Sequence, residues 1–322
     1  MNILITGGAG FIGSYLAEHL LSEGHQVRVI DDLSTGRKEN IAHLEDKDNF
    51  LFIEGSILNY KLMLKYVSEC DHIYHLAAAV GVKYIVEHPL ESLITNVRGT
   101  EIALELAYVF RKKIFLASSS EVYGKNGKQA FKETDDRVLG PVSISRWGYA
   151  FSKGFDEFLA MGYFRSDKLP VVIGRLFNIC GPRQSPHYGM VIPRFVEQAL
   201  KNEPITVYGD GSQVRSFTFV LDAVEAMKRL MNEPKSEGEI VNIGSSESIV
   251  ILELAKKIKE YTNSSSEIKF IPYIDVYGPD FEDMLCRRAD IAKMQSLINF
   301  SPKVKLDDML KSVINEYRNG SR

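Results

Sequence analysis

The chain has 322 residues, 45% hydrophobic and 25% charged, and a formal net charge of -3, which indicates an ordinary globular protein of one large domain or two lobes. So small a charge provides no field that would attract nucleic acid or an anionic membrane, and no apolar run is long enough to span a bilayer. Its 3 cysteines are far apart and form neither a disulfide framework nor a metal-ligand cluster, so we expect a cytoplasmic protein without a metal site.

Apolar, β-branched runs alternate with segments of helical periodicity along the first half of the chain. This alternation is typical of βα units stacked over a parallel sheet. It predicts a Rossmann-type doubly wound α/β fold. We place strands at about 2–6, 26–31, 50–54, 71–75, 113–118 and 171–174, and helices at about 11–22, 58–67, 89–110 and 147–165.

Beyond about residue 176 the spacing of the elements becomes irregular, with frequent glycine and proline. We therefore divide the chain into a Rossmann domain over residues 1–175 and a smaller α/β lobe over residues 176–322. A segment near 216–243 is predicted to return to the first domain.

The glycines of TGGAGFIG directly follow the first predicted strand and open the first helix. In that context Gly7 allows a tight turn, Gly10 lets the backbone approach a pyrophosphate, and Gly13 lets the helix pack closely. Free N–H groups at the helix N-terminus then face the phosphates. The second strand ends about 20 residues further on at Asp31, whose carboxylate would accept the ribose hydroxyls and repel a 2′-phosphate. NAD is therefore preferred, although Arg37 leaves NADP open.

Tyr149 and Lys153, in YAFSK, share one face of a predicted helix because they lie at positions i and i+4. The ammonium can therefore lie near the phenol, and positive charge that stabilises the phenolate makes tyrosine a usable base near neutral pH. For this pair alone a structural role is the stronger alternative, since such neighbours are common on amphipathic helices. The pair gains weight from the dinucleotide fold and from ASSSEVYG, where a row of hydroxyls follows the fifth predicted strand.

Together these motifs resemble the extended short-chain dehydrogenase/reductase family, specifically its NAD-dependent nucleotide-sugar epimerases, decarboxylases and dehydratases. The resemblance runs almost from end to end of the chain. It is carried by TGGAGFIG, DDLSTG, HLAA, NVRGT, SSSEVYG, SRWGYAFSK, RLFNICGPR, GMVIPRF, ITVYGDGSQVRSF, NIGSSE and CRRADI.

The resemblance implies a catalytic set at the end of the fifth strand. Tyr149 would take the proton of the sugar 4-hydroxyl, Lys153 would lower the pKa of that tyrosine and hold the nicotinamide ribose, and Ser119 would bond the same sugar oxygen. Ser120 and Glu121, which follow Ser119 directly, complete the expected set.

The resemblance also implies the binding residues. For NAD these are Gly7, Gly10, Phe11, Ile12, Gly13, Asp31, Ser34, Gly36, Ser56, Ile57, Leu76, Ala77, Ala78, Asn96, Tyr149 and Lys153. The second lobe would bind a nucleotide sugar, usually UDP-linked in this family, with Asn178, Arg215 and Arg287 on the diphosphate-sugar and Val191, Val207 and Tyr208 around the base.

Three reactions of a 4-keto sugar stay open at this point. Simple galactose-type 4-epimerases commonly carry a neutral residue at the position of Glu121, whereas Ser-Ser-Glu resembles UDP-glucuronate decarboxylases and GDP-mannose dehydratases. SRWGYAFSK together with CRRADI resembles a bacterial group of UDP-hexose or UDP-glucuronate 4-epimerases, and Ser120 stands where dTDP-glucose dehydratases carry an aspartate. The resulting order is 4-epimerase, then decarboxylase, then dehydratase, with a non-catalytic NAD(H) sensor as the alternative from another class.

Two predicted helices carry more apolar residues than packing on one sheet face requires. We predict that they pair with their copies in a two-fold dimer, forming a four-helix bundle. The alternative is that both helices pack only on the sheet. The residues concerned are Leu90, Leu93, Ile94 and Val97 on the first helix and Phe151, Phe155, Phe158 and Leu159 on the second.

Overall fold

The computed structural model describes residues 1–186, 190–278 and 282–320, without the side chains of residues 82 and 83. Its strands are β1 (Asn2–Thr6), β2 (Gln26–Asp31), β3 (Phe50–Glu54), β4 (His72–His75), β5 (Lys113–Ser119), β6 (Val171–Leu176), β7 (Ile179–Cys180), β8 (Ile205–Tyr208), β9 (Val214–Ser216), β10 (Thr218–Phe219), β11 (Glu239–Ile243), β12 (Ser248–Val250), β13 (Ile268–Ile271) and β14 (Cys286–Arg287). Its α-helices are α1 (Phe11–Ser22), α2 (Tyr60–Ser68), α3 (Val82–Glu87), α4 (Pro89–Val109), α5 (Arg146–Asp167), α6 (Val191–Leu200), α7 (Val220–Asn232), α8 (Ile251–Thr262), α9 (Tyr273–Tyr277), α10 (Ala292–Ile298) and α11 (Leu306–Arg318).

The large sheet has 7 parallel strands in the order β11-β6-β5-β4-β1-β2-β3. The chain builds outward from β1 through β2 to β3, and then crosses over to build β4, β5 and β6 on the other side. The predicted doubly wound fold is confirmed. Its topological switch point lies between β1 and β4, which is where ligands bind in sheets of this kind.

The predicted elements of the first half agree with the structure to within about two residues, the usual uncertainty of helix ends; β1, β2, β3 and α1 have the predicted bounds. The apparent irregularity beyond residue 176 was misleading. There α7 and β11 add another helix and strand to the Rossmann sheet, with β11 parallel to β6. Both lie in the segment predicted to return to the first domain. Their periodicity is hard to recognise in the sequence because short strands and turns with glycine and proline surround them.

Buried side chains form clusters on both faces of the large sheet and within the second lobe. On β1, Ile3 and Ile5 belong to one cluster and Leu4 to the opposite one, as the two-residue period of a strand requires. The third cluster joins α6, α8, α11 and β8. In the part of the chain that the structure describes, no helix is both long and apolar enough to cross a membrane.

The helices α4 and α5 leave part of their apolar surface exposed. Leu90 and Phe158 are each 70% exposed, and Phe151 is 62% exposed. Contiguous exposed apolar surface commonly marks an interaction site. The two-fold dimer through α4 and α5 stays a prediction, and a second copy of the chain is the partner that we expect on this surface.

Replacing Phe151 by glutamate should convert the expected dimer into a monomer, because each copy would place a charge in the apolar interface expected at the two-fold axis. Sedimentation at micromolar concentration measures the change. Phe270→Glu is the matched control, since Phe270 is 49% exposed on β13 in the other lobe. A monomeric wild-type protein would contradict the prediction.

Candidate active site

A cleft of about 490 Å³ is lined by residues that follow β1, β4 and β5 and by residues of the second lobe. It therefore lies at the switch point of the sheet, where the carboxyl ends of the strands leave a crevice. Both the predicted cofactor site and the predicted substrate site contribute side chains to its walls. The cleft is therefore the candidate active site.

The glycine turn after β1 forms one wall of the cleft. Gly7 has a φ of +74°, and a Cβ at this residue would lie 2.7 Å from the backbone nitrogen of Ala77. A Cβ on Gly13 would lie 2.2 Å from the carbonyl oxygen of Gly7, so the helix packs against the turn itself. Gly10 caps α1 without a side chain, which leaves the first N–H groups of the helix facing the cleft. This cradle fits the phosphates of a dinucleotide.

Asp31 ends β2 at the same side of the cleft. Its Oδ2 accepts a hydrogen bond from the Ala9 N–H at 2.9 Å and its Oδ1 accepts one from the Leu33 N–H at 2.9 Å. Burial raises the pKa of Asp31, while these hydrogen bonds act to lower it. The carboxylate is thus held in place with oxygen lone pairs left to accept ribose hydroxyls.

Most of the other predicted cofactor contacts line the cleft, but three of them stand behind it. Gly36 makes room for Asp31, because a Cβ there would lie 2.6 Å from Oδ1. Asn96 fixes the loop after β4, since its Oδ1 accepts from the Ala79 N–H at 2.7 Å. The Ser56 hydroxyl accepts from the Leu58 N–H at 3.3 Å. Those that line the cleft are Gly7, Gly10, Phe11, Ile12, Gly13, Asp31, Ser34, Ile57, Leu76, Ala77, Ala78, Tyr149 and Lys153.

The hydroxyl row formed by Ser118, Ser119 and Ser120 at the end of β5 lines the cleft. Ser118 donates to Oε1 of the buried Glu157 at 2.5 Å, so it ties β5 to α5. The Ser119 hydroxyl lines the cleft and accepts from the Glu121 N–H at 3.2 Å. Ser120 also lines the cleft, although it is almost fully buried.

Tyr149 and Lys153 lie on α5 and face the cleft beside Ser119. Burial raises the pKa of Tyr149, a hydrogen bond with Ser119 acts to lower it, and the charges of Glu121 and Asp156 raise it further. We expected Lys153 to lower the pKa of Tyr149, but without a bound cofactor the pKa of Tyr149 is raised. The reason is physical: desolvation of the phenolate dominates, and the Lys153 Nζ lies 3.6 Å from the Asp156 carboxylate, which offsets its charge.

Five residues with alternating charges, which we call the charge chain, run from the end of β5 into the second lobe. Arg287 pairs with Glu121. Arg146 donates from Nη2 to both oxygens of Glu121 at 3.2 and 3.3 Å, and from Nη1 to Asp283 at 2.7 Å. Arg215 donates to both oxygens of Asp283 at 3.1 Å. All five residues line the cleft.

Both carboxylates of the charge chain are ionised. Burial acts to raise the pKa of Glu121, but Arg146 and Arg287 outweigh it and hold the pKa below its usual value. Burial also acts to raise the pKa of Asp283, but Arg146 and Arg215 outweigh it and hold that pKa far below its usual value. Three guanidinium groups against two carboxylates leave a net charge of +1 on the chain. This surplus favours an anionic ligand.

Arg287 carries a buried donor that has no acceptor among the described residues. The Arg287 side chain also bonds the Asn178 side-chain oxygen, yet its Nε–H is buried and finds no acceptor within the described residues. A buried unsatisfied donor is costly, and this nitrogen is closed off from the cleft as well as from solvent. Other atoms of Arg287 line the cleft, where the guanidinium charge is offered to an anionic ligand. The Glu121 carboxylate is held by the side-chain cations of Arg146 and Arg287.

The predicted frame of the nucleotide base needs one correction. Val207 is fully buried and belongs to the core of the second lobe, because successive residues of β8 point to opposite sides. Tyr208 and Val191 do line the cleft. The Arg194 guanidinium lies 3.6 Å from the centre of the Tyr208 ring, as in a cation–π contact.

Sequence reasoning missed Arg146, Asp283 and Arg194. A signal existed for Arg146, which precedes Tyr149 by three residues and so lies on the same side of α5. Asp283 precedes Arg287 by four residues in a segment of irregular structure, where sequence spacing predicts no common face. Arg194 lies within GMVIPRF, but only the fold brings it onto Tyr208.

Comparison with known proteins agrees with this geometry. The profile of the GDP-mannose 4,6 dehydratase family matches residues 4–313. UDP-N-acetyl-alpha-D-glucosaminuronate decarboxylase of Bacillus cytotoxicus is 44% identical, with 98% of this chain and 97% of the relative covered. UDP-glucuronic acid decarboxylase 4 of Arabidopsis thaliana is 38% identical, with 99% and 69% covered.

Among solved structures, the UDP-glucuronic acid 4-epimerase of Bacillus cereus, in complex with UDP-glucuronic acid and NAD, superposes with a TM-score of 0.89 at 31% identity. The likeness covers 99% of each chain. The glycine cradle and Asp31 fit the same cofactor, NAD, which is therefore assigned to this protein. The chain belongs to the extended short-chain dehydrogenase/reductase family of NAD-dependent nucleotide-sugar epimerases, decarboxylases and dehydratases.

Proposed function

We propose that the protein is a decarboxylase of a UDP-linked hexuronate and acts through a 4-keto intermediate. The observation that carries the proposal is the charge chain, which brings Glu121, Arg146 and Arg287 into the cleft that also holds Tyr149. The sequence alone ranks a 4-epimerase first. The 44% and 38% identities to two decarboxylases reverse that order in our proposal.

The second lobe would hold the UDP group. Asn178 and Arg215 lie on the cleft wall, where an amide and a guanidinium suit a diphosphate. Val191 and Tyr208, the latter covered by Arg194, offer a flat site for the base. These contacts are common to every UDP-sugar and do not distinguish the reactions.

Oxidation at C4 requires a base at the sugar 4-hydroxyl. We assign this role to Tyr149, with the Ser119 hydroxyl bonding the same oxygen and Lys153 holding the nicotinamide ribose. When bound, NAD would supply the acceptor and later the donor of the C4 hydride, together with positive charge that acts to lower the pKa of Tyr149. The phenol therefore needs the loaded cleft to become a base.

Loss of carbon dioxide follows from the position of the new ketone. A C4 ketone is β to the C6 carboxylate, so the C5–C6 bond can break with its electron pair delocalised onto O4. The O4 oxygen stays within reach of Tyr149 and Ser119, which stabilise its negative charge. Carbon dioxide leaves, C5 takes up a proton, and the ketone at C4 is reduced again.

Arg287 is the residue that we assign to the C6 carboxylate. Its place in the cleft wall and the surplus positive charge of the charge chain both favour an anion here. Glu121 would orient the Arg287 and Arg146 guanidinium groups during the release step. A neutral hexose would leave the surplus positive charge of the charge chain without a counter-charge.

A UDP-hexuronate 4-epimerase is the second candidate. It is favoured by the likeness to the Bacillus cereus enzyme, whose structure contains UDP-glucuronic acid. The same residues would then act at C4 and the same arginine at C6, and the hydride would return to the opposite face of the sugar. The two candidates share substrate class and differ only in the product.

The mass of the product separates the candidates. The purified protein is incubated with UDP-N-acetylglucosaminuronate, UDP-glucuronate and UDP-glucose in parallel. We expect loss of carbon dioxide from a UDP-hexuronate, with the N-acetylated sugar as the better substrate, and no reaction of UDP-glucose. An isomer of unchanged mass would establish the 4-epimerase instead, and loss of water would establish a dehydratase. Bound cofactor without turnover of any of the three would favour the sensor.

A further inference from the structure

We propose that Thr6, His75, Thr100 and Asp156 form a buried positioning chain that fixes Lys153 and connects it to the cofactor-binding loop after β4. The proposal rests on the role assigned above to Lys153, but not on which reaction follows C4 oxidation. It gives a physical purpose to two motifs, HLAA and NVRGT, whose His75 and Thr100 are absent from the cleft lining.

The positioning chain crosses from the sheet to α5. The Thr6 hydroxyl, at the end of β1, lies 2.8 Å from Nδ1 of His75 at the end of β4. Nε2 of His75 lies 3.3 Å from the hydroxyl of Thr100 on α4. Thr100 donates to Oδ2 of Asp156 at 3.1 Å, and the same carboxylate oxygen lies 3.6 Å from the Lys153 Nζ. None of these five residues is more than 2% exposed.

Donor and acceptor chemistry gives the positioning chain one direction. A carboxylate only accepts, so the single hydroxyl hydrogen of Thr100 goes to Asp156 and the Thr100 oxygen accepts from His75 Nε2–H. Burial lowers the pKa of His75 to about 3, with Lys153 adding to the effect, so the ring is neutral. Its Nδ1 therefore accepts from the Thr6 hydroxyl.

The start of the positioning chain is in the cofactor site. The Thr6 oxygen accepts a hydrogen bond from the Ala77 N–H at 3.4 Å, and Ala77 lines the cleft next to the glycine turn. Every hydrogen bond from Ala77 onward therefore points toward Asp156. The carboxylate in turn contacts the ammonium of Lys153, which lies one helical turn after Tyr149 on α5.

A purely structural role explains the positioning chain less well. Burial raises the pKa of Asp156 to about 6, although Lys153 and Thr100 act to lower it, and its Oδ1 has no hydrogen-bond partner among the described residues. An incompletely satisfied buried carboxylate destabilises a fold compared with apolar residues of similar size. We infer that Asp156 is kept in spite of this destabilisation because it positions Lys153. The carboxylate sets both the place and the effective charge of the ammonium.

The test compares Thr100→Val with Thr100→Ser. Valine keeps the shape of threonine and removes the hydroxyl, whereas serine keeps the hydroxyl and loses a methyl group. Thr218→Val is the matched control, because Thr218 is about as buried as Thr100 and its hydroxyl donates to the Phe177 carbonyl oxygen, outside the positioning chain. Calorimetric NAD affinity is measured for each variant, together with kcat and KM for the sugar nucleotide that the wild-type protein converts.

In Thr100→Val we expect NAD affinity and kcat to fall about tenfold each, as for a lost hydrogen bond to a charged group, with the sugar-nucleotide KM little changed. Thr100→Ser should restore both, and Thr218→Val should change neither. Wild-type NAD affinity and kcat in Thr100→Val, or equal losses in the valine and serine variants, would overturn the proposal. NAD affinity needs no turnover, so a failure to decarboxylate UDP-hexuronates would refute the proposed function alone.

Discussion

Replacing Tyr149 by phenylalanine is expected to lower kcat by about 10²–10⁴-fold, the usual effect of removing a general base. The change deletes one oxygen and keeps the aromatic ring, so the fold and NAD binding should persist. Product formation from the active sugar nucleotide measures the loss, and NAD affinity measured in parallel reports the integrity of the site.

The matched control for this variant is Tyr163→Phe. Tyr163 lies on the same helix, packs its ring 5.5 Å from that of Tyr108 and is outside the cleft lining. The Tyr163→Phe variant loses the same hydroxyl oxygen at a position outside the cleft, so its kcat should stay near that of the wild type. Near-normal turnover in Tyr149→Phe would rule out the assigned base for all three reactions considered.

The second large effect is expected for Glu121→Gln. Glutamine keeps the volume and one acceptor but loses the charge that pairs with Arg146 and Arg287. Release of carbon dioxide should fall about 100-fold, as for the loss of one preorganised electrostatic contact, whereas oxidation at C4 should be less affected because Tyr149 and Ser119 are intact. Reduced cofactor should therefore build up on the protein while product is lost. Absorbance of the bound cofactor and product mass are followed in the same sample.

An epimerase predicts another outcome for the same variant. No bond at C5 changes during 4-epimerisation, so Glu121→Gln should then keep substantial turnover without accumulation of reduced cofactor. Glu282→Gln is the control, since Glu282 pairs with Lys125 beside the charge chain and does not line the cleft. Turnover retained in both variants would count against the decarboxylase and favour the 4-epimerase.

Local pattern was enough to predict the Rossmann sheet and the first elements of the chain. Strand and helix periods are short-range properties, and β1 followed by TGGAGFIG and α1 is read from adjacent residues. The glycine turn was predictable for the same reason, because Gly7 needs a positive φ that other residues rarely adopt. The shared helix face of Tyr149 and Lys153 follows from their spacing alone.

The tertiary structure decided the charge of the site. Glu121 is 25 residues from Arg146 and 166 from Arg287, so no periodicity joins them, and the pKa of Glu121 depends on that junction. Burial likewise determines the direction of the Tyr149 pKa shift, against the expectation from its lysine neighbour. The sequence by itself determined the residue types and local geometry of the site. Desolvation and the pairing of distant charges exist only in the folded chain, and they decide which groups are ionised and where an anion can bind.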